Sequence, residues 1–457
     1  MRNKKILAFC SIVILSATSL FAYSDEELQN MLALNNVALN KAQEDADLAT
    51  LDLKDAKASF QPTVELSTTA TYMQNPPIGK ITIDTDDIVT GITGVSGMGI
   101  GPYTIYDGME NTLYNFDIKI TQPVFTWGKL TTAEKIYENV ELVRNLKATS
   151  LKKQLASELR AREIGIYYIK EMAKNLDKQN TAAKKLLDIS KDARDNGILT
   201  NQDVLDAEIQ AKQVEVGMKK LNMELNNQIS AIRTLCGNQN ITASDIELVP
   251  DEDEMTEIVN SDWNELLARA LSPTRETFSM LNLLKTVSNQ TKYVADNSMY
   301  WKPDVGLQVE LGYYGAYLPV LQQGWYTKDN YQLNVTLALS DTLWDGGKAL
   351  NDVARKEINQ EAASLDYQDA REQIISKLNE ALLQMDYSTS NIEYKDLSAS
   401  VAGEKVKENQ SKHDEGYGDE KDILLAKIEQ YGYELDALKE RVTRASNYFT
   451  VRYLIGE

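Results

Sequence analysis

The 457-residue sequence predicts a mainly α protein with membrane β-structure: long antiparallel coiled-coil helices, plus four β-strands per chain. Three observations carry this. A strand with one apolar and one polar face runs straight into a very long helical stretch, and does so twice. The second half of the chain repeats the first at one constant offset. Neither half holds enough strands for a sandwich core, so the apolar strand face needs a cover that its own sheet cannot supply.

The stretch Tyr331–Ser340 sets the pattern. Tyr331, Leu333, Val335, Leu337 and Leu339 fall on one face; Gln332, Asn334, Thr336 and Ser340 fall on the other. That is the period of two expected of a strand. Asp341 to Lys348 follow, and helical composition begins at once. Earlier, Tyr114, Phe116, Ile118 and Ile120 alternate with Asn115, Asp117, Lys119 and Thr121, and Gln122 to Lys129 lead into a second helical stretch.

Taken from the start, Met1–Lys5 is basic, Ile6–Leu20 is apolar and Ala22 is small. This reads as a secretory signal over residues 1–22, too short to span a bilayer. No later run approaches about 18 uninterrupted apolar residues, so no transmembrane helix is expected. A net charge of −20 argues against nucleic acid, which needs a basic face, and fits a solvated acidic surface. Cys10 lies in the leader, and Cys236 stands alone beyond it, read as a small apolar filler without an internal disulfide. There is no phosphate-binding glycine loop and no His-Glu-x-x-His, and His413 is the only histidine. The expectation is a non-enzyme without metal or cofactor.

Ser24 to Ser59 reads as one helix, with Leu28, Leu32, Leu39, Ala42, Ala46, Ala49, Leu53 and Ala56 at spacings of threes and fours. Phe60-Gln61-Pro62 ends it, since proline disfavours helix in the residue before it. Val64, Leu66, Ala70 and Tyr72 then mark the first strand. Residues 74–111 read as a loop, with Pro76-Pro77, many glycines, and Asp84, Asp86 and Asp87 as solvated carboxylates rather than an ion site. After the second strand, a helix over 129–195 is ~100 Å long at ~1.5 Å per residue. Asn196-Gly197 breaks it, with Gly197 suited to the left-handed closing residue. Thr200 with Asp203 resembles a capping pair that opens a return helix to about residue 235. Residues 238–260 read as an irregular acidic linker, 262–299 as helix, and Trp301-Lys302-Pro303 as its end. Val305, Leu307, Val309, Leu311 and Tyr313 mark the third strand.

The offset that carries Lys129 to Lys348 also carries Asp195 to Asp414, Gly197 to Gly416, Asp203 to Asp422 and Ala207 to Ala426. It aligns Arg233, Leu235 and Gly237 with Arg452, Leu454 and Gly456. This is an internal duplication. The chain divides into a signal (1–22), a first repeat (23–237, strand hairpin 60–125, tip 196–203), an equatorial linker (238–260) and a second repeat (261–457, strand hairpin 300–344, tip 415–422). The lengths suggest that the return helix after Gly197 stacks on the helix over 262–299. The C-terminal helix would then stack beneath the N-terminal one.

Four strands cannot span a bilayer alone, because their unpaired edges cost several kcal/mol per group in hydrocarbon. Closure needs about eight strands or more. A homotrimer supplies twelve, and strands of about ten residues suffice to cross an outer membrane when tilted. Tyr72, Tyr114, Tyr313, Tyr331 and Trp344 lie near strand ends and suit interfacial belts against outer-membrane lipid.

Phe60-Gln61-Pro62, Trp301-Lys302-Pro303, Gln122-Pro123-Val124-Phe125, Trp127-Gly128-Lys129 and Asp345-Gly346-Gly347-Lys348 recur in order with the duplicated Asn196-Gly197 to Ala207 and Glu415-Gly416 to Ala426. On these residues the chain resembles the TolC-like outer-membrane efflux protein family, over essentially all of the mature sequence. The resemblance implies a trimer in the cell outer membrane with a large periplasmic part: a 12-stranded barrel, an α-helical tunnel, an equatorial collar and a tip that opens. It implies the exit duct of a tripartite efflux pump or type I secretion system, docked to a periplasmic adaptor (membrane fusion) protein and an inner-membrane transporter.

The resemblance places the tip turns and adaptor docking at Gly197, Thr200, Gly416 and Asp419, and gating or selectivity at Asp203, Asp206 and Asp422. In triplicate such carboxylates form rings that favour cations. In one member of the family acid rings fall on the positions of Asp422 and Leu425 and a gating arginine on that of Gly418; here leucine interrupts the second ring, with Asp206 as the candidate to compensate, and the arginine's closed-state salt bridge does not carry over. Two readings of Asp203 and Asp422 stand side by side: gating carboxylates, or helix caps near an N-terminus. His413 reads as a pH-sensitive contact or a solvated helix-end residue. A periplasmic coiled-coil adaptor or structural spacer is the alternative function, sharing the helices and signal but needing no amphipathic strands.

Overall fold

The computed structural model describes residues 23–84, 102–318 and 331–457. The signal expected over 1–22, Asp86, Asp87 and most of the second strand loop lie outside the described residues. The chain forms two compact units, one of helices (described residues within 1–47, 142–283 and 364–457) and one holding the sheet (48–141 and 284–363).

In the sheet unit, β1 (Thr63–Tyr72), β4 (Thr112–Phe125), β5 (Asp304–Gly315) and β6 (Tyr331–Ser340) form an antiparallel sheet in the order β1-β4-β5-β6. The register follows the alternation. Leu66 lies opposite Ile118, Ile118 opposite Leu311 and Leu311 opposite Leu333. The adjacent row is Glu65, Lys119, Glu310 and Asn334. One sheet face is therefore apolar and the other polar. The apolar face is bare: Leu66 is 72% and Leu333 66% exposed. β1 and β6 each have a single partner in the sheet, which leaves two open edges.

Two expectations in this unit need correction. The first strand loop is not wholly irregular: β2 (Ile81–Asp84) and β3 (Pro102–Tyr106) form an antiparallel hairpin within it. Tyr313 is not available to an interfacial belt. It is 3% exposed, packed edge-on with Phe116 and tilted against Tyr331, and its hydroxyl donates to the Tyr317 carbonyl at 3.2 Å. Tyr72 and Trp344 do remain exposed.

The strand-to-helix junctions are fixed by hydrogen bonds. Trp127 sits at φ 54°, an uncommon conformation for a bulky residue, and its Nε1 donates to the Pro303 carbonyl at 3.0 Å. Lys129 Nζ meets Asp304 Oδ2 at 2.7 Å. Asp345 accepts from the backbone N–H of Gly347, Lys348 and Ala349, closing the N-terminus of the second long helix.

The duplication appears as matched helix lengths. α3 (Lys129–Asp195) and α8 (Lys348–Asp414) have 67 residues each; the return helices α4 (Asn201–Cys236) and α9 (Glu420–Ile455) have 36 each. In the helical unit their contacts place them in one row. α8 meets α9 through Lys405–Glu429 (3.0 Å) and Lys395–Asp436 (3.2 Å). α9 meets α3 through Asn175 Nδ2, which donates to Glu434 at 2.7 Å, and Gln179, which donates to the Ile428 carbonyl. α3 meets α4 through Leu176, Ala183 and Val214. The order is α8-α9-α3-α4.

The remaining helices depart from the sequence reading. The expected single helix over 24–59 is two, α1 (Asp25–Asn35) and α2 (Val37–Ala58). Asn36 breaks it because its side chain is otherwise engaged: Oδ1 accepts from Leu39 N, and Nδ2 donates to the Leu235 carbonyl. The acidic linker is not irregular throughout. It holds a short 3-10 turn and α5 (Glu252–Asn260), capped by Asp251, which accepts from Glu254 N at 3.0 Å. The expected helix over 262–299 is likewise divided, into α6 (Trp263–Ala270) and α7 (Glu276–Asp296), with Pro273 in the gap.

The expected stacking is exchanged. The end of α4 meets the head of α2, where Asn36 Nδ2 bonds Leu235 and Asn35 Nδ2 donates to the Cys236 carbonyl. The end of α9 meets the head of α7, where Arg275 donates to the Tyr453 carbonyl at 2.7 Å. The cause is the linker. Met255 of α5 and Leu266 and Ala270 of α6 are buried in one cluster with Tyr448, Val451 and Leu454 of α9. The chain thus crosses α9 before α7 starts, which sets α7 over α9.

Candidate functional site

The two tip turns are built from duplicated sequence and meet at one end of the helical unit. At the first, Gly197 closes α3 at φ 75°, and Ile198 N donates to the Ala193 carbonyl at 2.8 Å. Thr200 is the N-cap of α4. Asp203 N donates to Thr200 Oγ1 at 3.3 Å, while Thr200 N donates back to Asp203 Oδ2 at 2.9 Å and Thr200 Oγ1 at 2.6 Å. These bonds from Thr200 hold the Asp203 carboxyl below its ordinary range. Asp203 is therefore a capping residue that is also ionised. Asp206, one turn on, is exposed.

At the second turn, Gly416 closes α8 at φ 89°. Tyr417 N and Gly418 N both donate to the Lys412 carbonyl, at 3.1 and 2.9 Å. His413 Nδ1 donates to the Gly418 carbonyl at 3.0 Å, so the only histidine closes the turn rather than hanging free. A Cβ at Gly418 would lie 2.5 Å from His413 N, so this position admits only glycine. The cap of α9 is Asp419, which accepts from Lys421 N at 3.2 Å. Asp419 is the counterpart of Thr200, and Asp422 sits in the first turn, exposed, rather than capping. Leu425 packs against Ala182, Leu186, Ala207 and Leu424.

Packing brings the turns together. Ala207 and Leu424, which are equivalent in the duplication, are buried in one cluster with Ala182 and Leu186 of α3. Glu420 pairs with Lys185 across the two repeats, and Lys421 is close enough to favour the ionised form of Asp203. A cavity of about 440 Å³ beside this pair is lined by Asp177, Lys185, His413, Glu420 and Tyr431. The sequence reading missed Lys185, Glu420 and Lys421, because a charged pair between helices distant in sequence leaves no local pattern. What the arrangement offers chemically is a set of carboxylates, Asp203, Asp206 and Asp422, in the opening turns of two helices that start at one end of the unit. Among the described residues no group of His, Cys, Asp or Glu could hold a metal ion, and no helix is long and apolar enough to cross a membrane.

An open antiparallel sheet joined to duplicated 67-residue helices and their return helices is the fold of bacterial outer-membrane channel proteins. The outer membrane protein VceC from Vibrio cholerae superposes with a TM-score of 0.74 at 14% identity, over 94% of this chain and 96% of that one. The Campylobacter jejuni CmeC outer membrane channel gives 0.72 at 13%, over 94% and 85%. The open state of the Neisseria gonorrhoeae MtrE outer membrane channel gives 0.68 at 12%, over 94% and 88%. No family model and no curated protein matches the sequence.

Proposed function

We propose that the chain is one subunit of a homotrimeric outer-membrane channel with a large periplasmic part. It would serve as the exit duct of a tripartite efflux pump or type I secretion system. The observation that carries this reading is the four-stranded sheet with two open edges and a bare apolar face. In water such a face aggregates; in hydrocarbon it is stable only once every edge is paired. β1 and β6 are the two edges and run in opposite directions, so β6 of one copy meets β1 of the next in antiparallel pairing. Three copies give twelve strands, an even number, with the apolar side outward and the Glu65–Lys119–Glu310 side toward water.

The helical turns would supply the periplasmic entrance of the duct. Gly197, Thr200, Gly416 and Asp419 shape the two tips that would dock a periplasmic adaptor, itself coupled to an inner-membrane transporter. Asp203, Asp206 and Asp422, repeated around a threefold axis, would ring the entrance with carboxylates and favour cations.

The test is single-channel recording of the detergent-purified protein in planar bilayers. The reading expects discrete conductance with a preference for cations, reduced in the double variant Asp203→Asn, Asp422→Asn. Conductance with unchanged selectivity would leave these residues as turn-formers alone. Absence of conductance would overturn the channel itself.

A further inference from the structure

The two repeats part company at one place in the helical unit. In the second repeat α8 meets α9 there through charge: Asp436 accepts from Lys395 at 3.2 Å and from Lys439 at 2.9 Å. The duplication offset carries Lys395 back to Leu176 and Asp436 back to Gly217. The ion pair of one repeat is thus an apolar contact in the other, where a Cβ on Gly217 would meet Leu176 Cδ2 at 3.7 Å. Beside this contact an apolar cavity of about 440 Å³ opens among α3, α4 and α9, with Ile169, Met172, Leu221 and Val442 in its walls. Cavities of about 300–1,000 Å³ hold small molecules.

Gly165 also lines the cavity. It is buried in the middle of the 67-residue α3, where glycine is a poorer choice than alanine. Its φ is not positive, and an added Cβ would meet nothing within 4 Å. Neither backbone conformation nor close packing therefore calls for glycine. In the second repeat the mid-helix glycines Gly403 and Gly432 face the side chains of Gln430 and Gln179, at 3.6 and 3.9 Å. The counterpart of Gly165 is the long side chain of Gln384. What the missing side chain provides at Gly165 is room.

Charge surrounds that room. Lys220 of α4 and Lys439 of α9 are equivalent in the duplication and both line the cavity. Lys220 is exposed and enters no ion pair among the described residues. Lys439 shares Asp436 with Lys395, which leaves positive charge in excess there. The carboxylate in the lining, Glu224, accepts from Gln228 Nε2 at 2.7 Å.

We propose that this cavity binds a dissolved organic anion: an apolar body seated against Gly165 and Met172, with a single negative group between Lys220 and Lys439. The site lies within the helical unit of one chain, so it stands apart from how copies assemble.

The experiment is calorimetric titration of 2-naphthoate into the full chain held in lipid nanodiscs, with empty nanodiscs as the blank. The neutral 2-naphthamide and the cationic 2-naphthylmethylammonium are titrated in parallel. The account expects saturable binding that favours the acid over both analogues. Gly165→Leu fills the cavity and should weaken binding by about tenfold or more. Lys220→Gln changes only an exposed side chain; it should weaken the acid by about threefold and leave the amide unchanged. If Gly165→Leu fails to fold, Lys220→Gln still decides. Undiminished binding by a folded Gly165→Leu protein would overturn the site. Equal affinity for acid, amide and cation, or an acid affinity indifferent to Lys220→Gln, would overturn the ligand class. No saturable binding by the unaltered chain would overturn both.

Discussion

Glu163 is 1% exposed, although it is one of 68 acidic residues in a chain of net charge −20. It sits on α3 between Leu159 and Ile166, in the layer where Leu28 and Leu32 of α1 pack against Ile232 and Cys236 of α4. Its Oε1 is buried without a hydrogen-bond partner. Burial, reinforced by Asp25 and opposed by Arg160, pushes its pKa up from 4.5 to about 8. A carboxyl raised in the folded state binds its proton more tightly there than when unfolded. Stability from this group is therefore highest below pH 4.5 and declines as pH rises toward about 8. Glu163→Gln should remove that decline and raise stability at pH 8 by about 2 kcal/mol or more, in thermal or denaturant unfolding across the interval. Equal slopes in both proteins would contradict the assignment. Arg444 is the complementary case, a buried guanidinium held by Glu252, which also takes the Tyr168 hydroxyl. Neither residue could be singled out in the sequence, because burial of a charge is decided by which helices meet, and local spacing does not report that.

At the scale of elements, what could be read depended on whether the cause was local. Gly197 and the Thr200–Asp203 box were legible, since a left-handed residue and a reciprocal cap are written in adjacent positions. So was each strand of the main sheet, whose alternation survives as its register. The break at Asn36 was not, because its side chain is held by the end of α4, far away in sequence. The exchanged stacking was hidden for the same reason: it follows from α5 and α6 burying Met255 and Leu266 against α9. Two glycines with positive φ separate local from tertiary demand. At Gly197 an added Cβ meets nothing within 4 Å, so Gly197→Ala should cost only the conformational term, about 1–2 kcal/mol. At Gly237, φ 62°, the Cβ would lie 2.7 Å from Asn35 Cβ, where α4 meets α1. Gly237→Ala should therefore destabilise clearly more than Gly197→Ala in parallel denaturation curves. Equal losses would mean that the α1–α4 contact is looser than the structure has it.

For the whole molecule, the governing fact is that both layers stop short. The sheet ends at β1 and β6 with Leu66 and Leu333 facing outward, and the helical row ends at α4 and α8 with apolar seams bare. A chain with large exposed apolar faces belongs against lipid, against partners, or both. The four strands were legible as insufficient from the sequence alone. The row of four helices was not, because its order depends on pairs such as Asn175–Glu434 that join opposite repeats. The central claim is that copies of this chain complete one another in a membrane. Native mass spectrometry of the protein extracted from outer membranes in detergent tests it most directly. The account predicts a particle of three chains that needs detergent to stay dispersed. A single chain that stays dispersed in plain buffer would contradict it.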